Sequence, residues 1–467
     1  MRKTKIVCTM GPAADDVEVL RGIIRAGMNI ARLNFSHGNH EEHKKRIELV
    51  RKVSREENKD VAIMLDTKGP EIRIKQFECK KIALKIGDEF TLSCEDVVGN
   101  ESIVSVTYDN LYNEVSVGTT ILIDDGLIEI EVKQIDGKNI ICEVISGGEL
   151  SNNKSINIPN TKIMLPALTD KDIEDIVFGI ENDIDFVAAS FIRCKEDIKN
   201  IREVLKKYDG EDVHIISKIE NRQGVDNIDE IIASSDGIMV ARGDLGVEIM
   251  AQEVPLVQKN IIRKCNEVGK VVITATQMLD SMIRNARPTR AEVGDVANAI
   301  YDGSDAVMLS GETAAGKYPI DSVEMMCGIA KLTDESIKEI KKFSGDINIT
   351  NTIGYSSVSM AETLNAKAII TPTTSGYTAR TVSKFRPQCP IYAVTYEDRV
   401  VNQLSLSYGV TPIKTEKRDS LEIQLWEAVF KLKELGYIEK GDLIVITAGL
   451  PLNVAGSTNF LKVEIVG

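Results

Sequence analysis

The octapeptide Ile215-Ile216-Ser217-Lys218-Ile219-Glu220-Asn221-Arg222 places two opposite charges two residues apart in an apolar β-run. Residues i and i+2 of a strand share a face, so Lys218 and Glu220 point the same way. An ion pair at the end of an edge strand would also fit that spacing. The next apolar run, Ile238-Met239-Val240-Ala241-Arg242-Gly243-Asp244, repeats the design and ends in a glycine and a carboxylate. Short strands that are apolar along their length and polar only at the C-terminal end fit a parallel sheet with a site on one face.

The same alternation extends in both directions. Upstream, apolar runs at 6–9, 28–33 and 61–66 are separated by amphipathic stretches of helical period at 16–26 and 41–57, which is βαβαβ. Downstream, a helix over 170–181 leads to strands at 186–190, 214–220, 238–241, 271–276 and 306–310, with helices at 255–268 and 290–301 between them. Three strands and then five make the eight of a (β/α)₈ barrel; a doubly wound open sheet is the competing architecture. Each strand ends in polar residues: Thr9, Arg32 with Asn34, Asp66, Ser190, Lys218 with Glu220, Arg242 with Asp244, Thr276, and Ser310 with Glu312.

Between 71 and 166 the pattern changes to β-branched runs at 103–106, 121–123, 127–132 and 140–144, separated by Gly, Asn and Asp turns. Helical period is nearly absent, so this reads as an all-β insertion. A helix running to about 342 and a linker over 343–350 precede a third region, with strands at 368–371, 391–395 and 443–447 and a strand-like 463–466. The expected fold is α/β: a TIM barrel from 1–69 and 167–342, an inserted β-barrel lid over 70–166, and a C-terminal α/β regulatory domain over 343–467.

Composition supports several domains, since 467 residues exceed the roughly 250 that one core organises. A formal charge of −14 argues against nucleic acid or an anionic membrane as partner. The apolar run at the N-terminus is too short for a signal peptide, and no stretch approaches the roughly 18 apolar residues of a membrane span, so a cytoplasmic protein is expected. Eight scattered cysteines fit reduced thiols. His40 and His43, three apart on a helix, read as a solvated face rather than a metal site.

Gathered at one barrel end, Arg32, Arg73 and Lys218 would meet Asp66, Glu220 and Asp244, with Asn34, Ser36 and Thr276 among them. Mg²⁺ takes oxygen ligands and needs only one or two protein carboxylates, a role that suits Glu220 and Asp244. Cations beside it would neutralise a transferring phosphoryl group, so the reaction class is phosphoryl transfer or enolate chemistry. Asn34, Ser36, Asp66 and Thr67 form a second oxygen-rich set with one carboxylate, which favours a monovalent cation; helix capping by Ser36 reads equally well.

These residues lie in segments that resemble pyruvate kinases, in order along the chain: 4–12, Ala31-Arg32-Leu33-Asn34-Phe35-Ser36-His37-Gly38, 65–73, 217–221, Met239-Val240-Ala241-Arg242-Gly243-Asp244, 275–279, 287–292 and 308–314. The resemblance implies phosphoryl transfer from phosphoenolpyruvate to ADP, giving ATP and pyruvate in glycolysis. By position, Arg32 and Arg73 would hold the phosphoryl group, and Glu220 with Asp244 would bind Mg²⁺ or Mn²⁺. Lys218 would neutralise the phosphoryl and the enolate. Gly243, Asp244 and Thr276 would line the substrate, with Thr276 on the face where the enolate is protonated.

Asn34, Ser36, Asp66 and Thr67 would bind K⁺. Glu71, where K⁺-independent members carry lysine, implies K⁺ dependence, although Ile74 departs from the dependent pattern. The nucleotide would contact Arg32, Asn34, His37 and Lys154 beneath the lid. Asn160 stands where many members have glycine.

The loop Thr373-Thr374-Ser375-Gly376-Tyr377-Thr378, between a strand and a helix, has the hydroxyls and backbone N–H groups of a phosphate cradle, and N-capping explains it too. In the family this loop binds a phosphorylated allosteric effector. Tyr377 and a facing loop at 449–458 without basic residues leave its identity open. The resemblance also implies a homotetramer, and a chain without the extra C-terminal phosphohistidine-like domain of some members. A pyruvate aldolase or an inactive sensor would lack, respectively, the insertion or one of Lys218, Glu220 and Asp244.

Overall fold

Eight parallel strands close into a barrel in the computed structural model, which describes residues 2–467 apart from 339, 344, 419 and 451–457. They are β1 (Lys5–Met10), β2 (Ile30–Asn34), β3 (Ala62–Asp66), β4 (Phe186–Ala189), β5 (His214–Ile219), β6 (Gly237–Ala241), β7 (Val271–Ala275) and β8 (Ala306–Leu309). Each pairs with its successor, and β8 closes on β1 with Lys5 opposite Ala306. Closure excludes the open sheet.

The pleat sorts each strand into two series. On β5, Ile215 and Ile219 pack outward in the core shared with the helices, while Ile216 joins Val7, Ile30, Met64, Phe186, Met239, Ile273 and Met308 inside the barrel. Lys218 and Glu220 continue the series of Ile216 and therefore face inward. The same step of two carries Ile30 to Arg32, Met64 to Asp66 and Ala188 to Ser190. An apolar layer fills the barrel and a polar layer lies above it.

The helices are specified locally. Asp16 caps Val17–Ala26 by accepting the Glu18 and Val19 N–H groups, and Leu20, Ile23 and Ile24 bury its inner stripe. Each such side chain contributes about 1.5–3 kcal/mol. Thr169 and Asp172 form a capping box on Asp170–Glu181. The helix His40–Glu56 is capped by Asn39, not by Ser36. His43 is buried and stacks on Phe35 with ring centroids 4.0 Å apart, and His40 pairs with Asp175 at 2.6 Å, so this is a packed face rather than the solvated one expected.

The insertion leaves after β3 and returns before Asp170. It holds a seven-stranded mixed sheet in the order Ile72–Arg73, Ser155–Asn157, Thr120–Ile123, Ile128–Asp136, Asn139–Ser146, Glu89–Ser93, Ile103–Ser105, and a smaller pair, Lys81–Leu84 with Gly148–Ser151. Its own core includes Phe90, Leu92, Ile121, Ile130 and Cys142. Entry and exit meet at Asp172, whose carboxylate accepts the Gly69 N–H at 3.0 Å and the Thr169 hydroxyl at 2.6 Å. Gly69 has φ +72°, and a Cβ there would come within 2.7 Å of Ser190. Asn160 sits at φ +60°, a conformation that asparagine shares with the glycine common at this position.

The C-terminal sheet runs in the order Val410–Lys414, Ile391–Thr395, Ala368–Pro372, Leu443–Ala448, Phe460–Ile465, with only the last strand antiparallel. Ile369, Val382 and Phe385 pack on one face; Ile370, Ala428 and Leu432 pack on the other. Sequence reading misses Val410–Lys414 because Pro412 interrupts it, and an edge strand is where proline is tolerated. The helix expected to reach 342 ends at Ser336, with Ile337 extended. Lys341 N–H instead donates to the Phe385 carbonyl at 3.1 Å, and Phe343 packs on Tyr355 and Phe385 rather than forming a linker. Leu406 from this region plugs the barrel floor.

Candidate active site at the barrel mouth

Lys218 is the hub of the polar layer. Its ammonium donates to Asp66 at 3.0 Å and to the Ser190 hydroxyl at 2.7 Å, and lies 2.9 Å from Glu220, although the residue is only 8% exposed. Arg32 donates to the other Asp66 oxygen at 2.6 Å and to the Thr9 hydroxyl at 2.9 Å. Burial alone would neutralise Lys218, but Asp66 and Glu220 hold its proton more tightly than usual. Burial likewise opposes ionisation of Asp66, and Arg32 with Lys218 more than offset it, so its pKa lies below the ordinary value.

Glu220 is the strained member. Burial pushes its carboxyl up to about 7; Lys218 pulls the other way, and the charge of Asp244 adds to the rise. The Phe191 N–H donates to Glu220 at 2.7 Å and fixes its orientation. Asp244 is exposed in the first turn of the helix Arg242–Glu248. A buried carboxylate made costlier to ionise by a second one nearby fits a divalent cation, which takes few carboxylates when it is Mg²⁺. Among the described residues, no group of three His, Cys, Asp or Glu forms a metal set.

Thr276 reaches the mouth by a different route. It and Gln277 have φ +68° and +54°, uncommon for a β-branched residue, which breaks the pleat after β7. Arg242 holds this turn by donating to the Ala275 carbonyl at 3.3 Å and the Thr276 carbonyl at 2.7 Å, while the Gly243 N–H donates to the Thr276 hydroxyl at 2.8 Å. Arg242 is anchored in turn on Asp295 at 2.6 Å.

Asn34 lies beside Asp66 in register and accepts the Ser36 N–H at 3.1 Å. The Thr67 hydroxyl and carbonyl engage the Ser190 N–H and hydroxyl at 3.1 and 2.6 Å. His37 is exposed, and its carbonyl contacts His43 at 2.9 Å. Arg73 and Lys154, on the insertion, are not brought into contact with the hub: Arg73 pairs with Glu71 at 2.7 Å and Lys154 with Asp124 at 2.9 Å. A cavity of about 640 Å³ opens between insertion and barrel, with Glu71, Asn157, Arg193 and Asp244 on its walls.

Thr9, Ser190 and Arg242, which the sequence places among the polar strand ends without a role, carry parts here, and so does Phe191, which it does not single out. Ser190 and Thr9 stand on the inward series two residues beyond buried positions. Glu312 is not at the mouth's hub; its carboxylate clamps the Leu279 and Ser310 N–H groups at 3.0 and 2.7 Å. In the C-terminal loop, Thr373, Thr374, Ser375 and Gly376 precede the helix Tyr377–Ser383, and Gly376 at φ +75° is its N-cap. The Thr378 and Thr458 hydroxyls lie 3.0 Å apart; residues 451–457 of the expected facing loop fall outside the described residues.

Residues 1–323 match the pyruvate kinase barrel domain and residues 351–464 the pyruvate kinase alpha/beta domain. The whole chain is 52% identical to a pyruvate kinase of Clostridium acetobutylicum over that protein's full length. It is 53% identical to one of Bacillus licheniformis, covering 81% of it. A crystal structure of a pyruvate kinase from Cryptosporidium parvum superposes over 100% of this chain and 96% of its own, with TM-score 0.94 and 40% identity. With Lys218 and Arg32 gathered around Asp66 at the mouth of such a barrel, the chain belongs to the pyruvate kinase family, phosphotransferases that move the phosphoryl group of phosphoenolpyruvate to ADP and release pyruvate.

Proposed function

We propose that Lys218, Arg32, Arg73 and Thr276 carry the transfer in this chain, on a catalytic barrel of 1–69 and 167–342 beneath a lid of 70–166. The observation that carries the reading is the buried Lys218 ammonium, held charged among Asp66, Glu220 and Ser190. A fixed, desolvated cation is worth most where charge develops, on the phosphoryl group and the oxygen it leaves. Arg32 grips the same phosphoryl group, and Arg73 joins it as the lid closes and excludes water. Gly243 and Asp244 border the substrate. Thr276, its hydroxyl fixed between the Gly243 N–H and the Ala275 carbonyl, orients a water on the protonation face.

Glu220 and Asp244 hold Mg²⁺ or Mn²⁺, which supplies charge neutralisation between substrate oxygens and protein. Asn34, Ser36, Asp66 and Thr67 hold K⁺. ADP lies in the cleft near Arg32, Asn34, His37 and Lys154. Thr373, Thr374, Ser375, Gly376 and Thr378 take the phosphate of an allosteric effector on the C-terminal domain of 343–467, and the working form is a cytoplasmic homotetramer. Among the described residues, no helix is long and apolar enough to cross a membrane.

The test is ATP formation from phosphoenolpyruvate and ADP with Mg²⁺, in K⁺ and in Na⁺ at equal ionic strength. Turnover that is strong in K⁺ and weak in Na⁺ is expected. Equal turnover in both removes the K⁺ site, and none in either removes the catalytic assignment.

A further inference from the structure

Three cations meet at the joint between the barrel floor and the C-terminal sheet. Lys270 stands immediately before β7, while Arg380 and Lys384 lie on and just after the helix Tyr377–Ser383. Together with His214, Asp236 and Tyr377 they line a cavity of about 140 Å³. Lys384 is only 7% exposed.

The charges on these walls do not balance. Asp236 is the one carboxylate among the lining residues, and Arg202 and the Ile215 N–H already occupy it at 2.5 and 2.8 Å. The cations bond only to neutral oxygens: Lys270 to the Ser235 carbonyl, Arg380 to the Ser375 carbonyl at 2.9 Å, and Lys384 to the Asn351 amide oxygen at 2.7 Å. Burial lowers the proton affinity of all three. Asp236, near Lys270 and Arg380, and Asp346, near Lys384, answer only part of this enclosed positive charge, and the remainder is costly unless an anion answers it.

A second observation points the same way. An adjoining chamber of about 10 Å³, too small for an anion, shares Lys270, Arg380 and Lys384 and adds Ser407 and Arg386, the last paired with Asp305 at 3.0 Å. Arg386, 5% exposed, has Nε and Nη1 without hydrogen-bond partners, and the Ser407 hydroxyl, on a residue 1% exposed, is likewise unpartnered. Donors remain unspent at this joint.

We propose that the larger cavity binds a tetrahedral phosphoryl dianion: inorganic phosphate, or the phosphate group of a small phosphomonoester. Charge-assisted bonds from Lys270, Arg380 and Lys384 hold it and clamp the C-terminal sheet to the barrel. Its barrel wall comes from the starts of β5, β6 and β7, and the far ends of those strands lead into Lys218, Glu220, Asp244 and Thr276. Arg380 also touches the loop Thr373–Gly376, since a Cβ on Gly376 would lie 2.7 Å from Nη1. The site therefore stands between loop and barrel, sharing Tyr377 with the loop but none of Thr373, Thr374, Ser375, Gly376 and Thr378.

The experiment measures inorganic phosphate binding to the full-length protein by ³¹P line broadening and by thermal stabilisation against chloride at matched ionic strength. Lys384→Met and Lys270→Met, one from each wall, are each expected to weaken phosphate about tenfold, the loss of one charge-assisted contact, while Thr374→Val in the neighbouring loop leaves it unchanged. Two variants on separate walls guard against one that fails to fold, and Lys384→Arg restores binding. Competition by glycerol 3-phosphate identifies a phosphomonoester site, and phosphate binding alone identifies a free-ion site; both support the proposal. Unchanged affinity in both methionine variants, or a loss that follows Thr374→Val instead, overturns it.

Discussion

The two ends of the barrel use charge differently. At the mouth, Lys218 and Arg32 face Asp66 and Glu220 across 2.6–3.0 Å, so each buried cation has a buried carboxylate. At the floor Arg386 keeps such a partner, Asp305 at 3.0 Å, but Lys5 donates to the Val410 carbonyl at 2.6 Å, Lys270 to the Ser235 carbonyl and Lys384 to Asn351, and the apolar plug Leu406 seals the centre. The mouth is built from one inward-facing series of one sheet, whereas the floor is built from two bodies pressed together. One set of strands thus keeps its chemistry at one end and its attachment at the other, and each can change without the other.

The sharpest way to break that contrast is Lys218→Met. Single-turnover kinetics are expected to show kcat about a thousandfold lower with a much smaller change in KM, because the ammonium acts on charge that develops during transfer. An unchanged kcat would place the mouth's charges with structure rather than chemistry. At the floor, Leu406→Ala should do the reverse, costing about 3 kcal/mol of stability through the cavity it leaves, with kcat retained. Denaturant unfolding beside steady-state kinetics separates the two, and a loss of kcat without a loss of stability would show that the ends are not independent.

A third test uses pH. Burial lowers the pKa of His214 at the floor to about 4, from 6.5. The folded protein refuses a proton that the unfolded chain accepts, so its stability is intact above pH 6.5 and falls as pH drops toward 4, by roughly 3 kcal/mol. Wild type should therefore lose melting temperature relative to His214→Gln as pH falls from about 7 to about 4.5; parallel curves would remove His214 from the floor's energetics. The smallest effect expected is that of Asp244→Asn, which should raise the Mg²⁺ concentration for half-maximal activity about tenfold. No change would leave Glu220 as the only protein carboxylate needed.

How legible each part was follows from how it is made. Parallel strands buried on both faces read as plain apolar runs, so all eight were visible, and a period of two put Lys218 and Glu220 on one side before any coordinates. Thr276 was visible as the polar end of a strand, but its left-handed turn and its dependence on Arg242 were not readable, because a β-branched residue gives no local sign of φ +68°. Pro412 hid an edge strand. Leu406, 0% exposed, looks in sequence like any other leucine, since its partners lie in strands hundreds of residues away. The pairing of Arg73 with Glu71, two residues away, is local, but whether Arg73 reaches the hub depends on where the insertion rests above the barrel, which no local pattern encodes.

The junction at Asp172 has a consequence for how the molecule is made. β3 must find β4 across more than a hundred intervening residues, Asp66 lying opposite Ala188, and distant pairings ordinarily slow folding. Because Gly69 and Thr169 end on the same carboxylate, the whole excursion behaves as a closed loop whose entropic penalty grows only with the logarithm of its length. The insertion, with a core of its own, can fold during synthesis as a bead on that loop before the second half of the barrel exists, and the barrel can then zip shut at its base. A large insertion can be carried in the middle of a closed barrel because, to the folding chain, it begins and ends at one point.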